Sequence, residues 1–246
     1  MTPRPARLVA AILVVVAFQS LTPRASAEFI DGFDVPNPGR IYQIALLDGN
    51  PYNSPTDVVS PGVTRDIRVE VSSPVPPNFN SASGTIGGGT FTMDTDNASA
   101  ATSTIRFTLT GAASNLSGAT GVNLAFLNLD TGNGNVTPVP ISVSIATATG
   151  TLTRDSAISG STAPFTASFA IGSFSGSGDL SQVNSITIVL NGTNSQKAVD
   201  FALDEVSLTP TVVPPIPAPP GLLLAGVGVL ALVGRARWTR KPTATA

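Results

Sequence analysis

The sequence predicts an all-β protein, an antiparallel β-sandwich of jelly-roll type spanning residues 28–211. Three observations predict it. Apolar residues recur there with period two or in short runs, and the runs are rich in Val, Ile, Thr and Phe. Clusters of Gly, Asn and Ser punctuate them. Outside the two apolar termini, no window carries the long stripe of an amphipathic helix.

The N-terminus, residues 1–27, reads as an export signal. Arg4 and Arg7 form a basic start, and Leu8 to Phe18 an apolar stretch too short to span a bilayer permanently. Ala25-Ser26-Ala27 has the small-x-small pattern of a cleavage site, which places the start of the mature chain at Glu28.

The body follows as strands. In Val63 to Val71, Val63, Ile67, Val69 and Val71 share one face, with Thr64, Asp66, Arg68 and Glu70 on the other. Ile105, Phe107 and Leu109 alternate with Thr104, Arg106 and Thr108. Leu124 to Leu129, Ile141 to Ile145, Phe165 to Ile171 and Ile186 to Leu190 supply further strands. Turns are expected at Ser83–Gly89, Asp94–Asn97, Asp130–Asn135, Ser173–Gly178 and Asn191-Gly192. Asn50 to Pro61 and Ser73 to Ser83 read as long surface loops. In the last strand, Val199, Phe201 and Leu203 are odd-numbered and Val206 and Leu208 even-numbered. That switch requires a bulge near Asp204-Glu205.

Residues 212–246 form a tail of three segments. Val213 to Pro220 is proline-rich and should be an extended spacer. Gly221 to Gly234 has no polar side chain; as a helix it would reach about 21 Å, short of the roughly 30 Å hydrocarbon core. Arg235, Arg237, Arg240 and Lys241 follow, and by the positive-inside tendency they stay cytoplasmic while the body lies outside.

Composition excludes several functions. The chain has no histidine and no cysteine. Histidine-dependent nucleophile systems, histidine zinc sites and disulfides are therefore ruled out. Between Glu28 and Glu205, six basic residues stand against all 15 acidic ones, a formal charge of −9. Such a body is unsuited to nucleic acid or anionic lipid. It has no Trp, since Trp238 lies in the tail, so an aromatic sugar platform is not expected.

The order of proline motif, short apolar segment and arginine cluster resembles the PEP-CTERM sorting signal of bacterial surface proteins. Pro217-Ala218-Pro219 stands where that family has Pro-Glu-Pro. The resemblance implies an exosortase-type membrane protease as partner, a transient hold in the inner membrane through the tail helix, and delivery to the cell surface or extracellular matrix. Arg235 and Arg237 would belong to the signal.

The opening Glu28-Phe-Ile-Asp-Gly-Phe-Asp34 and closing Leu203-Asp-Glu-Val-Ser-Leu208 resemble carbohydrate-binding-module-like jelly rolls of the galactose-binding type. The resemblance implies that the first and last strands are neighbours. It also implies that Asp31, Asp34 and Asp204 are candidate ligands for a structural calcium ion, whose hard charge suits carboxylate oxygens. The expected function is non-catalytic: a structural or weakly polysaccharide-associated protein of the biofilm matrix. Two alternatives stand beside it. One is a permanently anchored surface protein. The other is a secreted glycoside hydrolase drawing on Asp200, Asp204 and Glu205.

Overall fold

The computed structural model describes residues 28–34, 41–45, 52–53, 56–71, 81–97, 99–132, 137–192 and 196–211. The export signal with Ala25 and Ala27, and the tail with Pro217, Ala218, Pro219, Arg235 and Arg237, lie outside the described residues.

Strands follow one another along the chain: β1 (Glu28–Asp31), β2 (Ile41–Ala45), β3 (Tyr52–Asn53), β4 (Asp57–Ser60), β5 (Val63–Val71), β6 (Ser81–Gly87), β7 (Thr90–Thr95) and β8 (Ala101–Leu109). The second half supplies β9 (Ala119–Asp130), β10 (Val139–Thr147), β11 (Thr151–Ile158), β12 (Phe165–Ala170), β13 (Ser175–Gly176), β14 (Val183–Leu190) and β15 (Asp200–Pro210). They form two antiparallel sheets. The first runs β12-β9-β15-β7-β6-β2, with β1 also paired to β15. The second runs β13-β11-β10-β14-β8-β5-β3, with β4 also paired to β5. The expected antiparallel sandwich is therefore present.

Alternation explains the layering. In β8 and β10, and in β5 as far as Val69, every second residue is buried and the intervening ones are partly or fully exposed. A strand with one dry face and one wet face has this pattern. The inward residues of both sheets meet in one apolar core that includes Ile67, Phe91, Ile105, Phe107, Leu124, Phe126, Val143, Ile188, Leu203 and Val206. Phe201 lies edge-on to Phe91 at 5.5 Å and to Phe126 at 6.2 Å between ring centroids. Such ring pairs contribute about 0.5–1.5 kcal/mol beyond their buried area.

The first and last strands are neighbours, Glu28 opposite Leu208 and Asp31 opposite Val206. The bulge in β15 also falls where parity demanded it, with register shifts between Ala202 and Leu203 and between Leu203 and Glu205. Two expectations are corrected. Residues 50–61 contain β3 and β4, short edge strands too brief to show a periodicity. Ser83–Gly89 is mostly strand: β6 runs to Gly87, and the turn is Gly88-Gly89, both at positive φ. Its small residues serve packing, because a Cβ on Gly84 would stand 3.1 Å from Val69 and 3.2 Å from the Phe91 ring.

Candidate functional site

An ion pair lies inside the sandwich. Arg65 sits on the inward parity of β5, flanked by Val63 and Ile67, and is 1% exposed. Its Nη1 donates to Oδ2 of Asp31, itself 2% exposed. Its Nη2 lies 3.6 Å from Oδ2 of Asp57. The guanidinium also lies over the Phe33 ring, 5.1 Å from the centroid. The other oxygen of Asp31, Oδ1, accepts the Phe33 N–H at 2.8 Å. That turn holds Phe33 at φ 53, a left-handed conformation rare for a bulky residue. Burial is the strongest influence on the Asp31 carboxyl and holds it above its ordinary range, although Arg65 and the Phe33 N–H lower it.

This arrangement does not fit a calcium site made of Asp31, Asp34 and Asp204. A cation at Asp31 would have to displace Arg65, which already neutralises the carboxylate. Asp34 is exposed and packs against the β6–β7 turn, where its Oδ1 would stand 2.8 Å from a Cβ on Gly89. Asp204 is exposed on β15. Among the described residues, no three Asp or Glu side chains group to hold a metal.

A second acidic neighbourhood lies where β15 begins. Asp200 pairs opposite Asp130, and its Oδ1 accepts both the Thr95 N–H at 2.6 Å and the Thr95 hydroxyl at 3.3 Å. Burial raises the Asp200 carboxyl, Thr95 opposes the rise, and Asp94 and Asp130 add to it. Asp200 is thus bound to its own fold.

The outer face of the second sheet offers an open surface. Register places side chains in rows across five strands. One row is Arg68, Thr104, Val189, Ser142 and Asp155; the next is Asp66, Arg106, Thr187, Ser144 and Thr153. A groove of about 480 Å³ crosses this face, lined by Glu70, Thr102, Pro140, Ser142, Asp155 and Val189 among others. Hydroxyls and carboxylates edge it, and Val189 and Pro140 give it apolar contact. Its size is within the usual range for small-molecule sites. Glu70 accepts from Arg68 at 2.9 Å, an exposed pair. Asp200, Asp204 and Glu205 belong to the other sheet, so they do not line this groove.

Sequence reasoning missed both Arg65 and the groove. Arg65 had a signal: a charge on the apolar parity of an alternating strand. The groove had none, because its residues come from five strands whose register no local pattern reveals.

No family model matches the chain, and no curated protein matches it. Solved structures similar to it include a family 11 carbohydrate-binding module of the cellulosomal cellulase Lic26A-Cel5E of Clostridium thermocellum. That match is 11% identical with a TM-score of 0.41, covering 78% of this chain and 99% of that one. A second is TmCBM61 in complex with beta-1,4-galactotriose, 12% identical with a TM-score of 0.28, covering 65% of this chain and 88% of that one. A third, PfGH50B, is 14% identical with a TM-score of 0.36, and the match covers 59% of this chain and 22% of that one. No residue role is carried across at these identities and scores.

Proposed function

We propose that the chain is an exported cell-surface or extracellular-matrix protein whose sandwich is non-catalytic and associates with polysaccharide. The observation that carries the second half is the groove on the outer face of the second sheet. Its walls set Ser, Thr and carboxylate groups beside Pro140, Ile141 and Val189 on paired strands, which suits a hydroxyl-rich polymer that also has apolar faces. Among the described residues none that line it is aromatic, so contact would rest on hydrogen bonds and modest apolar burial, and affinity would be weak. The export signal ending at Ala27 and the Pro217, Arg235 and Arg237 tail support the first half. In this reading the tail holds the chain briefly in the inner membrane for an exosortase-type protease.

Affinity electrophoresis in gels carrying neutral polysaccharides tests the groove. The wild-type domain should be retarded in at least one gel. Ser142→Phe, which puts a ring on a residue lining the groove, should migrate as in a blank gel while keeping its melting temperature. Retardation unchanged by Ser142→Phe would move the binding surface elsewhere. The intact mass of the protein from its native host tests the sorting. A chain from Glu28 to the Pro214–Gly221 region outside the cell supports it, and a membrane-bound chain retaining Arg235 to Lys241 refutes it.

A further inference from the structure

The last strand of the body occupies the middle of a sheet. β9 lies along one side of β15, from Asp200–Asp130 to Pro210–Ala119. On its other side are β7, opposite residues 201–203, and then β1, opposite residues 206–208. Without β15 the first sheet falls into three pieces. One is the β9–β12 pair, one is β7 with β6 and β2, and the third is β1, whose only strand partner among the described residues is β15. Phe201, Leu203, Val206 and Leu208, all buried, would leave the core with it. The second sheet has no such gap. Its last member, β14, ends at Leu190.

From this placement we infer that β15 is the strand that closes the domain, and that the exported chain stays unfolded until residue 210 has cleared the membrane. The second clause rests on the export reading above. The physical basis is the cost of open strands. Each interior strand facing an empty slot leaves backbone N–H and C=O groups unpaired beside an uncovered apolar face. Three pieces so exposed cannot cover the inner face of the second sheet as one cooperative core, so formation of the first sheet before residue 200 gains little. A chain in that state remains threadable. Folding then follows the arrival of the segment next to the tail, so the body completes itself while the tail still holds it.

Translation of the chain to successive lengths, followed by release and a proteinase K challenge, tests the closure. Chains ending at Leu190 should be digested throughout. Chains ending at Thr211, and the full chain, should leave a resistant fragment of the Glu28–Thr211 mass. A resistant fragment from the Leu190-terminated chain overturns the inference.

A proline scan of the full chain gives a second arm. Ala202 has strands on both sides, so Ala202→Pro should abolish resistance. In the edge strand β12, one of the adjacent Thr166 and Ala167 N–H groups faces away from β9, so one of Thr166→Pro and Ala167→Pro should keep it. Resistance in Ala202→Pro equal to that of the tolerated edge variant also overturns closure. Cell fractionation of the wild-type chain scores export separately. Closure with a cytoplasmic chain would end the export clause alone.

Discussion

The Arg65 guanidinium and the Asp31 carboxylate form a buried ion pair that fastens β1 of the first sheet to β5 of the second. It is the device by which the opening strand, four residues long, reaches across the sandwich.

Removing one partner should be worse than removing both. Asp31→Asn leaves a buried guanidinium without its counter-charge, and Arg65→Met leaves a buried carboxylate. Each should cost about 3–5 kcal/mol in urea denaturation. The double variant Asp31→Asn with Arg65→Met should be less destabilised than either single variant. Additive losses would show that the pair is not coupled.

Because Arg65 supplies the positive charge beside Asp31, calcium should be dispensable. The melting temperature of the Glu28–Thr211 protein should not change between excess calcium and excess chelator. A rise on adding calcium would establish an ion site that the described side chains do not form.

Asp200 should make the fold sensitive to pH with a defined sign. Its folded pKa is raised above the ordinary 3.8. Its contribution is therefore fully present below 3.8 and lost as pH rises through the folded value. Asp200→Asn keeps an acceptor for Thr95 and removes the charge facing Asp94 and Asp130. Melting curves should show this variant more stable than wild type at pH 7, on the order of 2 °C. The difference should vanish toward pH 3. A difference that grew on acidification would reverse the assignment.

Two glycines should separate backbone strain from crowding. Gly88 at φ +61 has nothing within 4 Å of a built Cβ, whereas at Gly132, φ +78, that atom would stand 2.5 Å from the Lys197 carbonyl and 2.6 Å from the Ala198 carbonyl. Gly88→Ala should cost roughly 1–2 kcal/mol, the left-handed penalty alone. Gly132→Ala should cost clearly more. Equal losses would mean that the 130–132 turn yields freely.

Much of the sandwich was legible because its signals are local. The span predicted for Val63 to Val71 coincides with β5, and the parity switch in 199–208 located a bulge. The pairing of first and last strands followed from resemblance, and the structure contains it. What stayed hidden depends on other elements. β6 looks like a turn because Ser83, Gly84 and Gly87 lack strand propensity, yet it is paired on both sides. Asp31 looks like a metal ligand until Arg65 is brought to it from 34 residues away. The groove needs five registers at once.

The rows on the outer face of the second sheet also have a metric. Neighbouring strands stand about 4.8 Å apart, and same-face residues along a strand about 6.8 Å. A partner laid across Thr104, Val189 and Ser142 therefore meets one side chain per strand at a constant interval, set by backbone hydrogen bonds. In the proposed reading such a face acts as a ruler, sorting polymers by the length of their repeat.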